Sequence, residues 1–266
     1  MPLDPAALLT AVQASPRAVA AHDKSTWVGL FADNAVVEDP VGARPHIGRA
    51  AIARFYDTFI KPNVITFQVD HDVVHPPTVL RDLAVVTTMS TGAVVIVPMH
   101  LRYQLVEQEG EWKIVHLAAH WELAAMVWQL LRTGLPGLTA VLTLGPRLLV
   151  NQGLGGLLGM MRALTGVGRA GKITTTRVFT AAANTDLAGV RTLLGHRPDI
   201  ELPVGTPVSV EEFTNRARNM RWSKMIAAGR TVTASVLVSE ARGVAVVEFG
   251  TGAGHITKLR FFLDAA

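Results

Sequence analysis

The chain has 266 residues, 49% hydrophobic and 17% charged, which excludes a disordered protein and gives room for one large domain or two of about 130 residues. It contains no Cys, so disulfides, thiol nucleophiles and thiolate metal sites are excluded. The net charge of +4 is uneven: residues 1–121 hold 9 Lys and Arg against 12 Asp and Glu, residues 122–172 hold 5 against 1, and residues 173–266 hold 11 against 8. No basic run carries interleaved aromatics, so no nucleic-acid partner is expected.

Residues 5–14 and 16–31 have helical spacing, with Leu8, Leu9, Val12, then Val19, Trp27 and Phe31 as apolar positions. An apolar strand then ends in Val36-Val37-Glu38-Asp39-Pro40-Val41-Gly42, and a helix over Ala50–Phe59 follows the Pro45–Gly48 turn. Strands are predicted at Ile65–Val74, Leu83–Thr91, Val94–Leu105 and Trp112–Trp121, with a polar hairpin at Glu107–Glu111. Helices first and a long antiparallel meander after them indicate an α+β domain, a curved sheet with packed helices.

The C-terminal part repeats this order. Ala20-Ala21-His22-Asp23 and Glu38-Asp39-Pro40-Val41-Gly42 recur, at a constant offset of 163, as Ala183-Asn184-Thr185-Asp186 and Glu201-Leu202-Pro203-Val204-Gly205. Strands are predicted at Thr231–Ser239, Val244–Phe249 and His255–Leu263. The expected organisation is two tandem cone-shaped domains, 1–121 and 173–266, joined by an apolar helical segment.

That connector, residues 122–172, holds 10 of the chain's 23 Gly; Arg132, Arg147 and Arg162 interrupt it, and its apolar runs are too short for a membrane span. Thr139, Thr143, Arg147 and Asn151 form a narrow polar stripe at helical spacing, which Gly145-Pro146 should kink. Three readings stand: a helical pair buried between the domains or in an oligomer interface, an interfacial helix whose basic side chains meet lipid headgroups, and a flexible linker, which would leave much apolar surface exposed. The N-terminus carries no basic region ahead of an apolar core, so no secretory signal is expected. A cytoplasmic protein, peripheral to the membrane through 122–172 at most, is the expectation.

Asp39 is the first candidate for chemistry. Strand alternation puts Val37 and Asp39 on one face and Glu38 on the other. A carboxylate at the mouth of an apolar pocket is desolvated, its pKa rises, and it becomes a better base near neutral pH. The structural alternative is an Asp that caps a turn before Pro. Alternation places Leu117, Ala119 and Trp121 on the pocket side of the last strand and His116, Ala118 and His120 on the other. Asp70-His71-Asp72 reads as a solvated strand edge. No phosphate loop, nucleophile elbow or metal-ligand spacing occurs, so neither cofactor nor metal is expected.

The segment Val37–Tyr56 closely resembles the general-base segment of the ketosteroid isomerases, within the nuclear transport factor 2-like or SnoaL-like superfamily. Asp39-Pro40, Gly42, Pro45, Gly48-Arg49, Ile52, Phe55-Tyr56 and the late Trp121 carry the resemblance, which is looser over the rest of 1–121. It implies a usually dimeric cone whose pocket takes a steroid-like or polyketide-like molecule, with Asp39 shuttling a proton between two carbons. The family's oxyanion tyrosine falls on Ser15, and the tyrosine supporting it falls on Phe31. A third network tyrosine is kept as Tyr56. The family's protonated acid falls on Tyr103 with one gap or on Gln104 with none. Tyr103 and Tyr56 are therefore the candidate donors to an enolate, and Val37, Ser15, Phe31, Phe55, Leu117, Ala119 and Trp121 the candidate lining. Related folds imply two alternatives, a polyketide cyclase or epoxide hydrolase using Asp39, and a non-catalytic lipid-binding protein. The second copy carries Leu202 where the first has Asp39, which implies a degenerate domain.

Overall fold

Residues 4–139, 142, 158, 159, 161–251 and 255–265 are described by the computed structural model, apart from the side chains at 162 and 195–197. Helix α1 (Pro5–Ala20) starts where Asp4 accepts from the Ala6 N–H at 3.0 Å and Pro5 takes the first helical position. It buries Leu8, Val12, Ser15 and Val19. The helix runs through Pro16, at the loss of one backbone hydrogen bond, so the expected break at residue 15 is absent. The break falls instead at His22, in left-handed backbone (φ 52°), where Asp23 accepts from Thr26 N–H at 2.9 Å and starts α2 (Lys24–Gly29). Phe31, expected to end a helix, opens strand β1 (Phe31–Glu38).

After β2 (His46–Ile47), α3 (Arg49–Phe55) continues as one π-helical turn, Tyr56–Ile60. Four long strands follow: β3 (Asn63–His75), β4 (Thr78–Met89), β5 (Val94–Gln108) and β6 (Glu111–His120). They form one sheet in the order β2-β1-β6-β5-β4-β3, antiparallel except where β1 lies parallel to β6. Helix α1 crosses its inner face over β3, β4 and β6.

Helix α4 (Leu123–Arg132) leaves this sheet, and α5 (Gly168–Ala183), α6 (Leu187–Leu193), β7 (Leu194–Glu201) and α7 (Val210–Arg216) begin the second half. Strands β8 (Arg221–Ala228), β9 (Thr231–Val238), β10 (Ala241–Phe249) and β11 (Ile256–Leu263) complete a sheet ordered β7-β11-β10-β9-β8, with β7 parallel to β11. The molecule is thus α+β with two sheets, each carrying its helices and its own apolar core. The sequence repeat has a backbone counterpart. Asp23 and Asp186 both cap helices, His22 and Thr185 are both left-handed (φ 52° and 61°), and Gly42 and Gly205 share φ 94° and 82°.

The sheets pack back to back. Val73 and Leu80 of the first meet Val244, Val246 and Phe262 of the second. A polar cluster sits beside this apolar contact. His100, fully buried, reaches Thr233 Oγ1 at 2.7 Å and Ser235 Oγ at 3.2 Å. Ser235 donates to Asp82 Oδ2 at 2.7 Å and Lys224 to Asp82 Oδ1 at 2.6 Å. Lys224 reaches the cluster from a bulge in β8, in left-handed backbone (φ 41°), and also pairs with Asp70. Burial alone would raise the Asp82 pKa, but the hydrogen bonds of His100, Lys224 and Ser235 outweigh it and hold the carboxyl well below its usual range.

Asp70-His71-Asp72 lies on the edge strand of its sheet as expected, and Asp70 keeps 51% of its side-chain surface in solvent, but the three side chains are not merely solvated. Asp70 pairs with Lys224, His71 Nε2 lies 2.8 Å from Asp264, and Asp72 takes two bonds from the buried Arg81 at 2.7 and 3.2 Å. The apolar connector is also not simply buried. Helix α4 buries Leu123 and Leu130 but exposes Trp128 and Leu131. Thr143, Arg147 and Asn151 of the expected polar stripe lie outside the described residues.

Candidate functional site

Strand β1 runs beside β6 with Val37 opposite Leu117 and Glu38 opposite Ala118, so Asp39 emerges one residue past the end of the ladder. Val41 N–H then bonds Ala119 C=O at 2.9 Å, and Gly42 turns the chain in left-handed backbone. Alternation has the expected result. Glu38 faces outward, 3.7 Å from His116, whose nearness lowers its pKa against the effect of burial. Asp39 faces a cavity on the inner side of the sheet.

That cavity has a volume of about 170 Å³. Val85, Val97, Met99 and Leu101 form the sheet wall, Phe55 and Phe59 come from α3 and the π-helical turn, and Met126 comes from α4. The surroundings are mostly apolar, and this sets the electrostatics of the carboxyl. Desolvation raises the Asp39 pKa, the bond from Trp121 Nε1 at 2.6 Å lowers it, and the balance is about 6. Desolvation wins because one donor replaces only part of the hydration that a carboxylate loses.

Ser15 and Tyr103 supply polar groups to the same cavity. Trp27 Nε1 donates to Ser15 Oγ at 3.0 Å, which leaves the Ser15 proton free, and the Ser15 hydroxyl acts to lower the Tyr103 pKa. Burial pushes the Tyr103 hydroxyl up to about 12, against the opposing influence of Arg81 and Ser15, so it stays protonated and able to donate at neutral pH.

Of the residues expected at the site, Asp39, Tyr103, Ser15, Phe55, Leu117 and Trp121 line the cavity. Val37, Phe31, Tyr56 and Ala119 do not; all four lie in the apolar core behind it. Tyr56 is the consequential correction. Its ring packs against Trp27 at 5.5 Å between centroids, and its buried hydroxyl has no hydrogen-bond partner among the described residues. Phe31 packs edge-on against the same indole at 4.8 Å. Trp27, which itself lines the cavity, packs against both.

Trp27 is the functional candidate that sequence reasoning missed. It was read as a core position of a long helix. The cap at Asp23 breaks that helix and turns α2 so that Trp27 faces α1, and the Asp-Lys-Ser-Thr start was the available signal. Among the described residues no group of His, Asp and Glu has the arrangement to hold a metal ion.

Comparison with known proteins matches residues 12–125 to the SnoaL-like domain family. Among solved structures, the Delta 5-3-ketosteroid isomerase from Mycobacterium sp. is 32% identical over 47% of this chain and 98% of its own, with a TM-score of 0.42. RV0760c from Mycobacterium tuberculosis, in complex with estradiol-17beta-hemisuccinate, is 28% identical over 44% of this chain and 95% of its own, with a TM-score of 0.41. An LEH-like epoxide hydrolase of Mycobacterium tuberculosis is 18% identical over 52% of this chain and 97% of its own, with a TM-score of 0.42.

Proposed function

Through residues 12–125 the chain belongs to the SnoaL-like family, and from that premise we propose that it is an isomerase that moves a proton along a hydrophobic, steroid-like ketone. One observation carries this reading: Asp39 stands in an apolar cavity with a pKa of about 6, in reach of no cationic partner among the described residues, with Trp121 as its hydrogen-bond donor. Such a carboxylate is ionised at neutral pH and yet is a stronger base than one in water.

The apolar walls bind the ring system and exclude water. Asp39 takes a proton from the carbon next to the carbonyl, and the electron pair moves onto the carbonyl oxygen as an enolate. Tyr103 donates to that oxygen, and Ser15, itself accepting from Trp27, donates to Tyr103. The proton held on Asp39 then returns to the carbon two positions further along, where the double bond had been. Reactant and product differ only in the position of one hydrogen and one double bond, so no cofactor enters the balance.

A second reading keeps the base and changes the acceptor. Tyr56 does not reach the cavity, so the enolate oxygen has fewer donors than the isomerase resemblance implies. A hydroxyl or water activated by Asp39 for ring closure or epoxide opening needs fewer.

The test follows conversion of a 5-ene-3-ketosteroid to its conjugated 4-ene isomer by ultraviolet absorbance. The expected result is turnover by the wild type and a loss of roughly 10²- to 10⁴-fold in Asp39→Asn. Steroid binding without turnover in either protein overturns the isomerase and moves the assignment to cyclisation or hydrolysis.

A further inference from the structure

Helix α4 has two faces with different partners. Leu123 and Leu130 are buried in the first core, and Met126 lines the cavity. On the other side Trp128 is 62% exposed and Leu131 lies one turn along from it; past the end of the helix at Arg132 and the left-handed Gly134, Leu135 and Leu138 are exposed as well. The helix is fixed to the end of the sheet. The Gln129 side chain accepts from Ile96 N–H at 3.1 Å and donates to Ile96 C=O at 2.9 Å, which brings exposed Ile96 and Val94 beside the exposed face. An exposed apolar patch of this kind marks a contact surface.

Charge identifies what covers it. No Asp or Glu occurs between Glu122 and Asp186, whereas Arg132, Arg147, Arg162, Arg169, Lys172 and Arg177 all fall in that interval. Glu122 itself is occupied, by Lys172 at 2.5 Å and by the Ala227 N–H at 3.0 Å. A second copy of the chain would lay this all-basic segment against itself, because a two-fold contact pairs a patch with the same patch. An anionic lipid surface answers both properties. It takes up Trp and Leu at the level of the headgroups and acyl chains, and its phosphates attract the arginines. Among the described residues no helix is long and apolar enough to cross a membrane, so the contact is one of lying on the surface.

We propose that the exposed face of α4, with Val94 and Ile96, docks on an anionic membrane surface and so places the cavity wall beside the bilayer from which an apolar ligand would come. Met126 is the link, since the helix that carries it to the cavity wall also carries the exposed Trp128 and Leu131. The inference stands apart from the proton-transfer reading, because docking needs neither Asp39 nor turnover.

The test is flotation of the full chain with vesicles of phosphatidylcholine alone and with vesicles containing equal parts of phosphatidylglycerol. The expected result is binding to the anionic vesicles at least about tenfold stronger than to the neutral ones, weakening as salt is added. The double variant Trp128→Glu, Leu131→Glu loses binding while its circular dichroism and melting stay those of the wild type. Arg132→Glu, which keeps every apolar group, weakens binding by roughly tenfold. Equal binding to both vesicles, no binding to either, or undiminished flotation of the double variant overturns the proposal. So does light scattering that finds a wild-type dimer, a monomeric double variant and no vesicle-bound protein, which assigns the face to a contact between copies.

Discussion

Trp121 Nε1 lies 2.6 Å from Asp39 Oδ1 and is the hydrogen bond that opposes the desolvation of this carboxyl. With a pKa of about 6, Asp39 is ionised above that pH, so kcat/KM of any reaction that uses it as a base rises with pH and levels off above about 6. Trp121→Phe removes the donor, raises the Asp39 pKa further, and moves this limb upward by about one pH unit. A pH–rate profile of the two proteins checks both statements. A limb that stays near pH 4 in the wild type contradicts the desolvated base.

The same shift predicts a stability effect of opposite sign to the usual carboxylate. The folded pKa lies above the ordinary 3.8, so the folded state binds more protons between pH 4 and 6, and stability falls as pH rises through that window. Asp39→Asn keeps an oxygen for Trp121 and carries no charge. It stabilises the fold by roughly 1–3 kcal/mol at pH 8 and by little at pH 4. Denaturant midpoints at the two pH values measure the difference.

Tyr103→Phe removes the donor to the enolate and leaves Asp39 and the apolar walls in place. Turnover drops by roughly 10²-fold with little change in KM, as for loss of a group that acts mainly in the transition state. Ser15→Ala acts through Tyr103 and costs less. Equal losses in the two variants would place the donor role on Ser15 instead.

Lys224→Met tests the polar cluster between the sheets. It leaves the Asp82 carboxylate buried with His100 and Ser235 but without its cation. The expected destabilisation is roughly 2–4 kcal/mol, below the full cost of breaking a buried pair because the Lys224 side chain keeps 20% of its surface in solvent. Asp82 has its pKa lowered on folding, so its contribution is complete above the ordinary carboxylate pKa and is lost as pH falls through about 4 and below. Acid unfolding of Lys224→Met is therefore shallower than that of the wild type.

Gly229→Ala probes the close approach of the two halves behind the Asp39 turn. A Cβ at Gly229 would lie 2.8 Å from Gly42 Cα, and the residue is left-handed at φ 54°. The clash and the strained backbone together cost roughly 2–4 kcal/mol and displace the turn that follows Asp39. Urea unfolding measures the first effect and a fall in turnover at saturating substrate the second.

Asp39, Leu117 and Trp121 were legible in the sequence because alternation and the Pro-Gly turn act within a few residues, and the fold preserves that local logic. The outward set was legible for the same reason: Glu38 and His116 lie together on the face opposite the cavity. Tyr56 was not, since its place depends on how α2 turns at Asp23 and brings Trp27 against it. The partners of Asp70 and Asp82 were equally hidden, because Lys224 comes from more than 140 residues away on a bulge that periodicity does not announce.

The back-to-back packing of the sheets has one more consequence, in mass action. Two cones that meet as separate chains are paired only at concentrations above their dissociation constant. Here the partner is carried on the same polypeptide, so the pairing is unimolecular and dilution does not undo it. Symmetry is released as well. In a dimer of identical subunits each substitution appears in both cones at once, whereas a fused pair mutates each half alone. Leu202 can then stand in one half as core, with 1% exposure, while Asp39 in the other keeps its charge and its cavity.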